Sequence, residues 1–290
     1  MTKLIALVDG SVYSRSVCEN AAWIAARAGD AAPHQARVEL LHVLGRRQAE
    51  GGAANLSGNI ALGARTTLLN ELAELDARTA KLAQARGRAI LDDAARVLDE
   101  AGIADVGTRL RAGDLVETLA EMEADADLIV IGKRGEAADF ARLHLGSNLE
   151  RIARVAKKPV FVAARAFRPI ERMLIAFDGG TSALKAVDHI ARSRILAGLD
   201  CRLLMVGQDT PDARRSLDGA AAILKGGGYA VTAEIRSGQP DTVISKAVED
   251  DGIDLLIMGA YGHSRIRSLI IGSTTSEMIR SCKIPVMLFR

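Results

Sequence analysis

The chain has 290 residues, of which 49% are hydrophobic, 26% charged and 3% aromatic, with 38 basic against 36 acidic side chains. This length and composition are typical of a globular protein with about two domains. A net charge of +2 gives no bulk attraction to nucleic acid or membranes, and so few aromatic side chains provide no platform for stacking bases.

The cysteines and the N-terminus indicate the compartment. Cys18, Cys201 and Cys282 are scattered and form no Cys-x-x-Cys pair, so they predict neither a disulfide framework nor zinc and favour a reducing environment. The first apolar run ends at Asp9, which is too early for a signal peptide or a membrane span. We therefore expect a cytoplasmic protein.

The first half of the chain alternates short apolar runs, typical of buried strands, with segments of helical periodicity. The predicted strands are 3–8, 37–44, 107–111, 127–131 and 159–162, and the predicted helices are 14–28, 66–101, 114–124 and one ending at Ala156. In the long helix the candidate buried positions are Leu68, Leu72, Leu75, Leu82, Ile90, Ala94 and Leu98. Residues 45–63 are rich in Gly, Ala and polar residues and predict a mobile excursion, and residues 164–171 predict a linker.

The order of the elements then restarts, with strands predicted at 172–177, 201–206, 231–236, 254–258 and 285–288. Matching positions are 163 residues apart at the second strand (Leu41 to Leu204) but 125 apart at the third (Gly113 to Gly238). The difference of 38 residues (163 minus 125) locates an insertion at about 45–90. We therefore predict a duplicated domain, with an N-terminal copy at 1–165 and a C-terminal copy at 170–290.

Two glycine turns stand out in the C-terminal copy. Gly259 and Gly262 follow the fourth strand, and Gly272-Ser273-Thr274 begins the last helix. Glycine lets the backbone approach a ligand closely, and the N–H groups of a helix start suit phosphate. No Lys precedes Ser273, so this is not a Walker A loop. Strands and helices that alternate in this way predict parallel sheets, in which ligands bind beyond the carboxyl ends of the strands.

These residues match a Gly-x2-Gly-x9-Gly-(Ser/Thr) signature, and the stretch resembles that of the universal stress protein family. The resemblance covers nearly the whole chain, because the pattern occurs twice. It implies an α/β, Rossmann-like fold of two tandem five-stranded parallel sheet domains with strand order 3-2-1-4-5, packed as an intramolecular pseudo-dimer through their fifth strands. It also implies ATP or a related adenine nucleotide, with Mg²⁺ on the phosphates, between the loops after strands one and four.

In the C-terminal copy the resemblance implies a site formed by Asp178, Val206, Met258, Gly259, Gly262, Arg265, Gly272, Ser273 and Thr274. Asp178 ends the first strand, and its carboxylate could accept hydrogen bonds from ribose or adenine. The alternative is a helix cap, and for Asp178 we favour the ligand. Arg265 could reach phosphate, although a charge in a loop is more often simply solvated.

The N-terminal copy departs from the signature. Its candidate residues are Asp9, Val43, Gly132, Gly135, Gly146 and Ser147. Ten residues rather than nine separate Gly135 from Gly146, and Asn148 replaces Thr274. For Asp9 the ligand and the helix cap are equally supported. We therefore predict that this site binds nucleotide more weakly than the C-terminal one.

The resulting functional prediction is a stress-response or regulatory protein that acts by binding adenine nucleotide rather than by rapid catalysis, with slow hydrolysis left open. No Ser-His-Asp set, no P-loop Lys and no set of metal ligands is found, so no catalytic residue is assigned. One alternative is an ATP pyrophosphatase or adenylyl transferase, because the segment 178–182 faintly resembles a pyrophosphatase loop. Another is a partner-binding module with degenerate sites. The protein partner and any homodimer are left open.

Overall fold

A computed structural model describes residues 2–28, 36–45, 62–135, 147–260 and 273–290, without the side chains at 62–68, 147 and 273. The strands are β1 (Thr2–Leu7), β2 (Ala36–Leu44), β3 (Val106–Ala112), β4 (Leu128–Gly132), β5 (Val160–Ala163), β6 (Arg172–Ala176), β7 (Asp200–Val206), β8 (Val231–Arg236), β9 (Leu255–Gly259) and β10 (Val286–Phe289). The helices are α1 (Ser14–Arg27), α2 (Leu62–Glu100), α3 (Leu115–Met122), α4 (Ser147–Val155), α5 (Thr181–Arg192), α6 (Pro211–Gly226), α7 (Pro240–Asp250) and α8 (Ser273–Ser281).

All ten strands form one sheet in the order β3-β2-β1-β4-β5-β10-β9-β6-β7-β8. Each half therefore has the predicted order 3-2-1-4-5, and its strands run parallel. The two halves are joined rather than merely packed, because β5 pairs antiparallel with β10, with Met287 opposite Phe161. Because β5 and β10 pair with each other, neither is an edge strand. Since this pairing is antiparallel, the carboxyl ends of the strands in one half lie on the opposite side of the sheet from those in the other half.

Apolar strands hold helices on both faces of this sheet. One face carries α1, α2, α5 and α6, through buried residues such as Val17, Leu98, Val187 and Leu217. The other face carries α3, α4, α7 and α8, through buried residues such as Leu119, Ile152, Ile244 and Ile279. Runs such as Leu255–Gly259 are apolar without alternation because both faces of the strand are covered.

The long helix α2 corrects one sequence expectation. It is a single helix of 39 residues, and Ala94 and Leu98 are buried as predicted. Leu75 and Leu82, however, are 60% and 64% exposed, although their spacing predicted burial. At 3.6 residues per turn, Leu75 and Leu82 lie about a third of a turn away from the face that carries the buried Gly87 and Ala94. The side chain of Leu68 and most of the predicted excursion at 45–63 lie outside the described residues.

Candidate functional site

The loops that follow β1 and β4 meet at the carboxyl edge of the N-terminal half. The two strands are neighbours in the sheet, with Leu7 paired to Ile131. A Cβ atom placed on Gly135 would lie 2.8 Å from Oδ2 of Asp9. Two features that the sequence separates by more than a hundred residues therefore share one crevice.

Asp9 also organises the loop that leads into α1. Its Oδ1 accepts hydrogen bonds from the Ser11 amide (3.0 Å) and the Ser14 hydroxyl (3.2 Å). The Ser14 hydroxyl in turn accepts the Gly10 amide at 3.0 Å. One carboxylate oxygen thus orders the start of the helix, while the other faces the loop after β4.

In both halves the glycine that ends the fourth strand allows close packing within the protein. A Cβ on Gly132 would lie 2.7 Å from Cβ of Tyr13, and one on Gly259 would lie 3.0 Å from Cβ of Ser182. Each glycine thus lets the end of β4 or β9 approach the start of α1 or α5. Val43 is the next-to-last residue of β2 and Val206 the last residue of β7; both are half-buried, and these strands lie beside β1 and β6.

The C-terminal crevice has the same plan. Ala176 pairs with Met258, which is buried, so β6 and β9 end side by side. Asp178 is exposed, and its Oδ1 accepts the Gly180 amide at 2.8 Å, which turns the chain into α5. At the start of α8, Thr274 is half-buried, and the Thr275 hydroxyl donates to the Gly259 carbonyl at 3.4 Å.

Part of the predicted signature lies outside the described residues. This applies to Gly262, Arg265, Gly272 and Gly146, and to the side chains of Ser147 and Ser273, whose backbones begin α4 and α8. Their roles toward a ligand therefore stay predictions. Within the described ranges no group of three or more His, Cys, Asp or Glu side chains could hold a metal ion. None of the described helices is both long and apolar enough to cross a membrane.

Lys133 is a residue of this region that the sequence reasoning did not assign. It lies between Gly132 and Gly135, is 8% exposed, and donates from Nζ to the Cys282 carbonyl, just beyond α8. Burial lowers its pKa to about 8. The sequence does distinguish this position, because the equivalent residue of the other copy is the apolar Ala260, which is buried. The loop of the N-terminal crevice is thus tied to the C-terminal half by a buried ammonium group.

Replacing Lys133 by methionine is expected to stabilise the protein at pH 7 and to lose that advantage at higher pH. The folded-state pKa of about 8 lies below the usual lysine pKa of 10.5, so between these values the unfolded chain binds more protons and wild-type stability rises with pH. A methionine of similar length carries no buried charge. The difference in unfolding free energy should shrink by about 3 kcal/mol across this window, at 1.36 kcal/mol per pKa unit.

Urea unfolding of both variants at pH 7, 8, 9 and 10 measures this difference. Burial raises the pKa of the Cys282 thiol to about 11 and the Lys133 charge lowers it, so this thiol contributes differently to the two proteins as the pH rises. A difference that stays constant from pH 7 to pH 10 would contradict the buried ammonium group.

Comparison with known proteins gives a consistent result. Residues 1–164 and 202–290 match the family model described as the universal stress protein family. The chain is 38% identical over 293 residues to the universal stress protein Slr1230 of Synechocystis sp., covering 100% of each. It is 30% identical over 81 residues to the universal stress protein MJ0577 of Methanocaldococcus jannaschii, or 28% of this chain and 50% of that protein. A crystal structure of a universal stress protein from Archaeoglobus fulgidus shares the fold, with a TM-score of 0.67 at 20% identity over 99% of this chain and 98% of that one.

Proposed function

Because the chain belongs to the universal stress protein family, we propose that it binds ATP or a related adenine nucleotide and acts through binding in a stress response. In this proposal Mg²⁺ is bound by the phosphates of the nucleotide, as the family resemblance implies. Turnover of the nucleotide is slow or absent, and a protein partner recognises the nucleotide-bound state.

The observation that carries this proposal is the meeting of an aspartate and a glycine loop at the carboxyl edge of a parallel sheet. In the N-terminal half, the would-be Cβ of Gly135 lies 2.8 Å from Oδ2 of Asp9. Ligands of open α/β sheets bind at this edge. A carboxylate there suits ribose or adenine, and the helix start beyond the glycine loop suits phosphate.

The two crevices differ in ways that favour the C-terminal one. Asp178 is exposed and its Oδ1 accepts the Gly180 amide, whereas Asp9 is half-buried and its Oδ1 accepts both the Ser11 amide and the Ser14 hydroxyl. The neighbouring glycines differ as well. A Cβ on Gly10 would lie 2.8 Å from Cδ1 of Ile90, while one on Gly179 would lie 3.4 Å from the hydroxyl of Ser216.

Beside the glycine that follows the aspartate, the nearest side chain is thus the apolar Ile90 in the N-terminal half and the more distant, polar Ser216 in the C-terminal half. We propose that the C-terminal crevice binds nucleotide more tightly, through Asp178, Val206 and Met258 together with Gly259 and the glycine loop.

Incubation of the purified protein with ATP and Mg²⁺, followed by analysis of the bound and released nucleotide, tests this function. We expect tight retention of intact nucleotide, and mass spectrometry of ligand released from freshly purified protein should identify the same class. Rapid release of AMP and pyrophosphate would indicate an adenylyl-transfer enzyme instead. If no adenine nucleotide is bound, the result would instead favour a partner-binding module with degenerate sites.

A further inference from the structure

A cavity of about 660 Å³, here called the junction cavity, lies where the two halves meet. The amino ends of β1, β4 and β5 form one side of it, through Thr2, Leu128 and Pro159. The carboxyl end of β10 and one face of α5 form the other side, through residues such as Phe289 and His189. This volume is typical of small-molecule sites. None of the described residues that we assign to either crevice lines the junction cavity, so it is a separate place in the fold.

The charged side chains that line the junction cavity are mostly basic. They are Lys157, Lys185, Arg192, Arg290, Asp127 and Asp188. Positive charges exceed negative ones by two, four against two, or by one if Arg290 carries a terminal carboxylate. Asp188 is paired with Arg192, with 2.7 Å between Oδ1 and Nη2, so one of the two acids is already neutralised. The balance of charge therefore favours an anionic ligand.

The other three cations reach the junction cavity from different parts of the chain. Lys157 follows α4 in the N-terminal half, Lys185 lies in α5, and Arg290 follows β10. The Nζ atom of Lys185 donates to the main-chain carbonyl of Arg290 at 3.2 Å, which holds these two residues together. An ammonium group has three donors, so Lys185 can bind this carbonyl and an anionic oxygen at once. Cations that approach from both halves suit a group with several anionic oxygens, such as phosphate.

The junction cavity also has an apolar wall. Met287 and Phe289 are buried, and the Phe289 ring packs against the His189 imidazole with 5.2 Å between ring centroids and 59° between ring planes. His189 is half-buried, and burial lowers the pKa of its imidazole, which is therefore mostly neutral at pH 7. This wall suits the apolar or aromatic part of a ligand whose charge is held by the basic residues.

The equivalent place in the N-terminal half is different. An offset of 169 residues, from Asp9 to Asp178, aligns α1 with α5. At this offset the cavity positions 185, 189 and 192 of α5 correspond to Ser16, Asn20 and Trp23. Ser16 and Asn20 are 1% and 0% exposed, so this part of α1 faces protein rather than an open cavity. The basic residues of α5 at the junction cavity are therefore not a requirement of the repeated fold.

We propose that the junction cavity binds a small phosphate monoester whose organic part is apolar or aromatic. Lys157, Lys185 and Arg290 hold the phosphate, and the organic part packs against Phe289 and His189. The two halves contribute opposite walls, so the ligand bridges them and stabilises their contact. This proposal does not depend on nucleotide binding in the two crevices.

Titration calorimetry of the full chain with phenyl phosphate at low ionic strength tests the basic residues. We expect a dissociation constant of about 0.1 to 1 mM. The double variant Lys157→Gln, Lys185→Gln should bind about tenfold more weakly, since each partly exposed ion pair contributes modestly. The matched control is Lys225→Gln with Lys283→Gln, which removes two exposed lysines elsewhere and should bind like wild type. Lys283 is the equivalent of Lys157 at an offset of 126 residues.

Two further probes test the class of ligand. Inorganic phosphate keeps the charge but lacks the ring, and benzoate keeps the ring but carries a single negative charge, so both should bind more weakly than phenyl phosphate. Inorganic phosphate that binds as tightly as phenyl phosphate would overturn the role of the apolar wall. Benzoate that binds as tightly would overturn the assignment to phosphate.

Nuclear magnetic resonance of the histidine side chains locates the ligand. The imidazole signals of His189, assigned with the variant His189→Gln, should shift as phenyl phosphate is added. Signals of His189 that stay unchanged at saturation would place the ligand outside the junction cavity.

Three results of the calorimetry would overturn the proposal itself. The first is a wild-type protein that binds no phenyl phosphate at about 10 mM, ten times the weakest expected dissociation constant. The second is equal binding by wild type and the Lys157/Lys185 variant, with circular dichroism showing both folded. The third is an equal loss in the Lys225/Lys283 control, which would make the effect a general one of removed charge.

Discussion

Replacing Gly227 by alanine is expected to destabilise the protein by about 3 kcal/mol. Gly227 follows the last residue of α6, where that helix crosses α5. A Cβ at this position would lie 2.4 Å from the carbonyl oxygen of Ala191 and 2.8 Å from its Cα. Both atoms belong to the backbone of α5, so the clash is relieved only by moving one helix away from the other.

The preceding residue provides a matched control. A Cβ on Gly226 would meet no heavy atom within 4 Å, and an alanine there should stabilise the helix by up to about 1 kcal/mol. The φ of Gly227 is −78°, which alanine adopts without strain, so the difference between the variants is steric. Thermal unfolding should show a clearly lower melting temperature for Gly227→Ala than for wild type, and no decrease for Gly226→Ala. Equal melting temperatures would mean that α5 and α6 are not packed as closely as described.

The positions of the strands were predictable from the sequence. All ten begin and end within one residue of their predicted bounds, because strands covered on both faces are apolar runs bounded by residues such as Asp9 and Asp178. The order of strands within each half came from the family resemblance, since periodicity carries no information on which strands are neighbours. The fifth-strand pairing came from the same source, but its consequence, one continuous ten-stranded sheet, was not predicted.

Other features depended on contacts that one sequence does not specify. The leucine spacing of α2 indicated burial correctly at Ala94 and Leu98, but it also included Leu75 and Leu82, which the fold leaves exposed. Similarly, Gly132 and Gly259 were attributed to a close approach by ligand. The described contacts of their would-be Cβ atoms are with Tyr13 and Ser182, which is packing within the protein.

The same contacts clarify which glycines can test nucleotide binding. A side chain on Gly259 would disturb the start of α5 as well as any ligand, so its effect on binding would be ambiguous. Gly272 and Gly146 lie outside the described residues, each immediately before a helix that begins at Ser273 or Ser147. A side chain at either position should hinder phosphate at the helix N-terminus.

Replacing Gly272 by valine is expected to abolish most ATP binding, by about 100-fold or more, while Gly146→Val should cost less than about tenfold, a difference of roughly 1.4 kcal/mol or more. The physical reason is that the C-terminal copy keeps the nine-residue spacing and an exposed Asp178, whereas the N-terminal loop is one residue longer. Titration calorimetry with ATP and Mg²⁺ measures both variants, and circular dichroism confirms that each remains folded. Equal losses would mean two equivalent sites, and a larger loss for Gly146→Val would reverse the assignment. If neither substitution changes binding, the glycine signature is structural in this chain, and the nucleotide must be sought outside these two crevices.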